Sequence, residues 1–236
     1  DSLQGRYHNH VLHPLSVAEI LNRSFDGIPG GELEFPPETK EMHEAMTELL
    51  RFGGFPEPFS RQDQRAWRRW RNERVERVVR EDIRDLSSVR DLSLIQMLVD
   101  ELPNRVGSPL SINSLREDLG VAHKTAASWL DLLDSLYYSF RISPLQGSRI
   151  KSMRKEGKVY LWDWSDIKDE GARLETMVAS HLLKFSHFLN SVHGWKTALH
   201  FLRDQEGREV DFVFTFEGKP WFAVEVKTGA GKISTP

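Results

Sequence analysis

The sequence predicts a mixed α/β protein, and two observations carry that reading. Apolar residues recur at helical spacing along residues 61–86 and again along 124–136, the period of a helix with one buried face. From residue 158 onward the rhythm changes to short apolar strands at 159–162, 198–202, 209–216 and 221–227, with one long helical stretch, 171–190, between the first two. Strands interrupted by a helix of that length mark an α/β sheet.

Composition sets limits on what such a fold can do. At 236 residues the chain is long enough for two small domains. A hydrophobic share of 39% with 28% charged residues is that of an ordinary globular protein and excludes a disordered chain. The formal net charge is −3, so any nucleic-acid contact must come from a local basic patch rather than a global field. There is no cysteine, which removes disulfides, zinc ribbons and thiol chemistry. No apolar run approaches the roughly 20 residues of a membrane span and no signal-peptide pattern opens the chain, so a cytoplasmic protein without membrane contact is expected. The chain opens at Asp1 without methionine and stops at Pro236, a few residues past its most informative motif. That predicts a piece of a longer protein.

Taken in order, residues 1–58 are dense in turn signals: His13-Pro14, Pro29-Gly30-Gly31, Pro36-Pro37 and Gly53-Gly54-Phe55-Pro56-Glu57-Pro58, with short helical stretches at 16–21 and 38–52. They lack the period of a self-contained core and are expected to pack on something else. Residues 59–91 read as a linker built on the helix 61–86. Trp67, Trp70, Arg74, Val78 and Ile83 form its stripe, and Arg65, Arg68, Arg69, Arg71, Arg77 and Arg80 spread over the rest, with Glu73, Glu76, Glu81 and Asp82 interleaved as partners. Residues 92–150 have a different rhythm. A helix at 92–102 precedes Ser111, which caps a short helix that Gly120 ends. A third helix follows at 124–136, and 137–142 alternates like a strand. Helix, helix, tight turn, helix, strand is the winged helix-turn-helix pattern. Such a unit would offer His123, Lys124, Thr125 and Ser128, near the start of its third helix, to DNA. One lysine is thin for phosphate contact, and winged helices also bind proteins.

The last two strands carry the chemistry. In 209–216, Val210, Phe212 and Phe214 point one way and Asp211 and Val213 the other. In 221–227, Phe222, Val224 and Val226 point one way and Ala223, Glu225 and Lys227 the other. A turn centred on Gly218 sets Asp211 directly opposite Glu225, whereas a register shifted by one would mix polar with apolar faces. Two carboxylates about 5 Å apart across a ladder repel. A divalent cation, a proton or a nearby lysine must offset them, and Lys227 lies on the same face. Glu175, near the start of the helix 171–190, can supply a third carboxylate. Oxygen ligands for Mg²⁺ or Mn²⁺ beside a lysine that orients water are what phosphodiester hydrolysis requires.

Glu175, then Asp211 in Val-Asp-Phe, then Glu225-Val-Lys227 resembles the PD-(D/E)xK nuclease signature, in the spacing of Holliday-junction resolvase-like members. Upstream, Gly5-Arg6, His13-Pro14-Leu15-Ser16, Gly53-Gly54-Phe55-Pro56 and Asp82-Ile83 resemble a large family of prokaryotic AAA-type ATPases. Its members end in a conserved region of unknown function comprising a winged helix and a nuclease-like fold. The resemblance covers nearly the whole chain. It implies a C-terminal remnant of an ATPase domain at 1–58, a linker helix at 59–91, a winged helix at 92–150, and at 151–236 a restriction-endonuclease-like α/β domain truncated at its C-terminus. It further implies Asp211, Glu225 and Glu175 as metal ligands and, with Lys227, as catalytic residues, with Mg or Mn as cofactor. DNA, the chain's own N-terminal ATPase domain and further copies of the chain are the implied partners. ATP belongs to the full-length protein only, because the phosphate-binding glycine loop and the acidic magnesium motif do not occur in this sequence. The rival on the same fold is a non-enzymatic regulatory or binding module that uses the winged helix to contact DNA or protein.

Each signal also has a plainer account. Asp211, Glu225 and Lys227 read equally as solvated charges on a hairpin face, and Glu175 as a carboxylate favoured near a helix N-terminus by the dipole. The arginine-rich helix reads as a salt-bridged surface, and Arg6 as a surface residue. The letters His8-Asn9-His10 do not make an HNH endonuclease, whose residues are dispersed over a ββα unit, and His13 is off the alternating register of His8 and His10.

Overall fold

The computed structural model describes residues 10–24, 27–79, 83, 92–145, 156–204 and 206–229, and among the described residues eight α-helices and a five-stranded sheet build a mixed α/β fold. The sequence features at Gly5-Arg6, His8-Asn9, Arg80, Glu81 and Asp82 lie outside the described residues.

Helices fill the first half. α1 (Val17–Ile20) is a single turn whose Glu19 carboxylate reaches back to accept from Ser16 N–H at 2.9 Å. α2 (Lys40–Phe52) begins at Thr39, whose hydroxyl oxygen accepts from Met42 N–H, and it buries Ala45, Leu49 and Phe52. α3 (Pro56–Arg61) opens on a proline, where a missing N–H costs nothing. α4 (Gln64–Arg77) is capped by Asp63. Then come α5 (Leu92–Glu101), α6 (Ile112–Leu119) and α7 (His123–Ser135). Ser111 caps α6, and Gly120 ends it at φ 67°, a left-handed conformation that glycine adopts without strain. The two residues read as caps from the sequence are the caps of this helix.

The sheet has the order β2-β1-β3-β4-β5. β1 (Ser139–Pro144) pairs antiparallel with β2 (Lys158–Leu161) and parallel with β3 (Thr197–Arg203). β3, β4 (Glu209–Phe216) and β5 (Lys219–Val224) are antiparallel neighbours. The 24-residue α8 (Glu170–His193) lies between β2 and β3 in sequence, starts at the Asp169 cap, ends at left-handed Gly194, and packs against β2, β3 and β4. The strand expected as a wing is therefore an inner strand of the main sheet. Residues on either side of position 150 are joined by the ladder from Ser139↔Leu161 to Ile142↔Lys158.

β2 is the seam between two packed cores. Val159 and Leu161 join Leu98, Leu115, Trp129, Leu130 and Leu133 of the helical core, whereas Tyr160 and Trp162 join Phe140, Leu189, Phe201, Phe212 and Phe214 between sheet and α8. The alternation is the period-two geometry of a strand with both faces covered. Each such large side chain, fully buried, contributes roughly 1.5–3 kcal/mol.

The glycine- and proline-rich first segment packs on this frame. Leu15 N–H donates to Gly54 O at 2.6 Å, and Lys184 of α8 donates to Pro14 O at 2.8 Å and pairs with Glu19. A β-carbon on Gly54 would stand 2.6 Å from the Trp164 ring and 2.7 Å from Pro14, so the two segments meet only because residue 54 is glycine. Further contacts run through the segment after β2. Trp164 indole N–H donates to Leu49 O at 2.7 Å, Trp67 indole N–H to Ser165 Oγ at 2.8 Å, and Arg71 to Asp166 at 2.7 Å. At the other end of the sheet Trp221 donates to Gly31 O at 2.6 Å. Among the described residues no helix is long and apolar enough to cross a membrane.

Candidate functional site

Four charged side chains converge where the start of β2, the first turns of α8 and the start of β4 meet. Lys158 opens β2, and its side chain is only 1% exposed. Its ammonium lies 3.2 Å from Glu175 Oε1 and 3.7 Å from Asp211 Oδ1, is in direct contact with Glu209 Oε1, and stands 5.5 Å from the centre of the Phe201 ring. The Tyr160 hydroxyl donates to the same Glu175 oxygen at 2.7 Å. Lys158 and Tyr160 are two residues apart on one strand, so alternation brings both to Glu175.

The backbone is shaped around this group. Gly107, in the loop between α5 and α6, has φ 75°, and a β-carbon there would stand 3.0 Å from Glu175 Oε2. That loop runs along the outer edge of β2, with Gly107 N–H donating to Val159 O at 3.1 Å and Leu110 N–H to Gly157 O at 2.9 Å. The main chain of Lys158 is bridged by Pro109 on one side and paired with Ile142 on the other.

The electrostatics follow from burial and pairing. Burial works against the charge on Lys158, but the hydrogen bond to Glu209 and the fields of Glu175 and Glu209 outweigh it, and its pKa rises above the ordinary lysine range. Burial raises Glu175 above the usual glutamate range, although Lys158 and the Tyr160 hydrogen bond draw it down. Burial, with Glu175 beside it, also raises Tyr160, which stays a neutral donor. Arg203, 3.8 Å from Glu209, adds a second cation at the rim.

The expected site residues are divided between this group and its margin. The β4–β5 turn consists of Glu217 and Gly218, both with positive φ. A shift in register then makes the ladder read Phe214↔Phe222, Val213↔Ala223 and Phe212↔Val224. The ladder ends there, one step short of Asp211 and Glu225, in the register that would set the two across from each other if it continued. Trp221 is the extra residue that produces the shift, so a two-residue turn and a bulge together reach the alignment that a turn centred on Gly218 would give. β5 ends at Val224, and beyond it Val226 N–H donates to Asp211 Oδ2 at 2.8 Å. Glu175 and Asp211 are brought together through Lys158. Glu225 instead pairs with Lys227, 3.0 Å away.

A divalent cation would need several of these oxygens turned toward one point. Among the described residues no group of three or more His, Asp or Glu side chains is placed to hold a metal ion, and the ammonium of Lys158 stands between Glu175, Glu209 and Asp211. As arranged, the residues do not fit Mg or Mn. Reading the sequence missed Lys158, Glu209 and Tyr160. Glu209 lies two residues before Asp211, a spacing that could have marked it. Lys158 gave only the faint signal of a lysine at the head of the apolar run Val159-Tyr160-Leu161-Trp162.

Away from this centre, His123, Lys124 and Ser128 are exposed at the start of α7 and Thr125 is half-buried, with Ser128 Oγ donating to Thr125 O at 2.9 Å. Arg69 pairs with Glu73 and Arg71 with Asp166, while Arg74 donates to Tyr137 O and stacks over Phe55. Part of the arginine set on α4 is thus internal structure rather than open basic surface.

Comparison with known proteins divides the chain at the start of α8. No curated protein and no solved structure matches it. A family model described as Domain of unknown function (DUF4143) matches residues 170–235, beginning where Asp169 caps the long helix and including Glu175, Asp211, Glu225 and Lys227. A second, Domain of unknown function (DUF8612), matches residues 43–165, from α2 through Ser165 and so including Lys158. That match spans just over half of the 236 residues, and the chain belongs to the DUF8612 family.

Proposed function

We propose that this chain is a DNA-associated regulatory or binding module of an AAA-type ATPase, built on a nuclease-like scaffold that does not itself cut. α5, α6, α7 and β1 follow the order of a winged helix-turn-helix, with His123, Lys124, Thr125 and Ser128 at the exposed start of its third helix. The sheet with α8 carries the acidic positions of a PD-(D/E)xK fold. The observation that supports a binding role over hydrolysis is the Lys158 ammonium among Glu175, Glu209 and Asp211, since Glu175 and Asp211 are two of the carboxylates that hydrolysis would turn to a metal. The test is binding of a labelled duplex by the protein over a salt series. Salt-dependent binding weakened by Lys124→Ala supports the proposal. Absence of binding at low salt turns it toward a protein partner and overturns the DNA reading.

A second reading, metal-dependent phosphodiester hydrolysis with Mg or Mn, is favoured by one observation. The β4–β5 ladder ends at Phe212↔Val224, one step short of Asp211 and Glu225, Val226 N–H donates to Asp211 Oδ2 at 2.8 Å, and Lys227 lies 3.0 Å from Glu225. Nicking of supercoiled DNA by the full-length protein with Mn²⁺, lost on Asp211→Ala, would establish this reading and refute the non-cutting one.

A further inference from the structure

We propose that Lys158 is the resident cation of the acidic centre: its ammonium lies among Glu175, Glu209 and Asp211, and Glu175 and Asp211 are carboxylates that the nuclease-like reading gives to a divalent ion, so that lysine and metal compete for the same oxygens. The inference rests on the nuclease-like reading and goes beyond it, naming the group that fills the centre and the change that would open it.

Three carboxylates reach this ammonium, at 3.2 Å for Glu175, 3.7 Å for Asp211, and in direct contact for Glu209. Three like charges gathered in a largely dry site repel one another strongly unless a cation lies among them. Lys158 supplies that cation with 1% of its side chain exposed, a burial that lysine tolerates only when fully paired. Its position is fixed at both ends. The backbone is held between Ile142 and Pro109, and the ammonium rests against the Phe201 ring. Glu175 is held by the Tyr160 hydroxyl on one oxygen, and its other oxygen lies where a β-carbon on residue 107 would stand only 3.0 Å away. A tethered cation of this kind acts at an effective concentration of millimolar or more, and a free ion must outcompete it. The carboxylates and the lysine fall in two different family matches, with Lys158 in 43–165 and Glu175, Glu209 and Asp211 in 170–235. The charge that neutralises the acidic centre therefore comes from the other matched segment, and the pairing ties the two together.

The test uses the whole 236-residue chain, with Mn²⁺ and Mg²⁺ alone as probes. Titration calorimetry and the paramagnetic signal of free Mn²⁺ measure uptake, and thermal melting measures the consequence. Wild type is expected to show no saturable uptake and no metal-dependent change in melting temperature. Lys158→Met is expected to melt lower without metal. It should gain saturable Mn²⁺ binding that wild type lacks, raise its melting temperature with Mn²⁺ by mass action, and lose both on adding Asp211→Asn. Stoichiometric Mn²⁺ binding by wild type that Lys158→Met leaves unchanged overturns the proposal, as does a folded Lys158→Met that gains no metal. If Lys158→Met does not fold, ¹⁵N spectroscopy of the wild-type lysine ammonium groups decides the matter. A slowly exchanging signal assigned to Lys158 that stays unmoved through an Mg²⁺ titration supports competition won by lysine, and its disappearance on adding Mg²⁺ refutes it. None of these measurements contains DNA, so failure of the DNA-binding reading and failure of this one are seen separately.

Discussion

Mild acid should release the first segment from α8 before the fold as a whole gives way. His13 Nε2 lies 2.9 Å from His187 Nδ1, and its ring meets Trp162 edge-on with centroids 5.0 Å apart. His13 Nδ1 is buried with no hydrogen-bond partner among the described residues. Burial lowers its pKa to about 4, helped by His187 and Lys184 and opposed by Glu19. The packed value lies below the 6.5 of a free histidine, so the packed segment binds fewer protons than the released one. Docking is therefore strongest above pH 6.5 and weakens as the pH falls toward 4. From those two values, His13 alone weakens docking by about 1.4 kcal/mol at pH 5.5, roughly a tenfold rise in the released population. Burial lowers His187, which His13 contacts, as well, and it acts in the same direction. Lys184 and Glu19 tie the same segment to α8; burial works against the charge on Glu19, but hydrogen bonds from Lys184 and Ser16 outweigh it and hold its pKa below the usual glutamate range. Hydrogen exchange over residues 10–24 at pH 7.5 and 5.5, corrected for intrinsic rate, reads the opening directly. His13→Gln should reduce the pH dependence while keeping a side chain able to meet His187. Equal protection at the two pH values, or a variant with unaltered pH dependence, would refute the argument.

The remaining predictions concern packing, charge and nucleotide. Gly54→Ala places a methyl group against Trp164 and Pro14 and should cost about 1–3 kcal/mol in urea unfolding, whereas Gly194→Ala, with open space around it, should cost only about 1 kcal/mol from its positive φ. Asp163 is fully buried, and burial raises its pKa despite Arg74 nearby and the Ser165 hydrogen bonds. Its folded pKa is above the unfolded one, so the stability it lends at low pH is lost as the pH rises through the folded value. Asp163→Asn should thus melt no lower than wild type at pH 7, with any advantage shrinking toward pH 4; a much lower melting temperature at pH 7 would show that the charge is needed. Lacking a glycine-rich phosphate loop, the chain should show no micromolar ATP affinity in calorimetry.

Much of the helical half was legible in the sequence because its signals are local. Ser111 and Gly120 bracket α6 by cap chemistry, and Leu130 and Leu133 mark the buried face of α7 by spacing alone. The start of β5 was less so. Trp221 reads as a strand residue like its neighbours, yet it is the bulge, and only pairing with β4 shows that. The acidic centre was half legible. Asp211 and Glu175 are identifiable from residue type and position, but for the counter-charge the sequence offers a divalent cation, a proton or the nearby Lys227, and not Lys158. Lys158 is 53 positions from Asp211 and comes close only when β2 and β4 enter one sheet, which neither period nor spacing encodes. Likewise β1 alternates like any strand, and nothing local distinguishes a wing from an inner strand.

The inner position of β1 also governs the order in which the chain can fold. Its parallel partner lies far downstream: Ser143 pairs with His200, 57 residues later. As the chain leaves the ribosome, α5 to α7 can collapse early on contacts that are close in sequence. One edge of β1 must then wait, with its N–H and C=O groups open, until α8 and β3 have been made. An open strand edge invites pairing with other chains. Ribosome-bound chains that stop short of β3 should therefore be the species most in need of chaperones, and a break placed between α8 and β3 should harm yield more than one placed after β4.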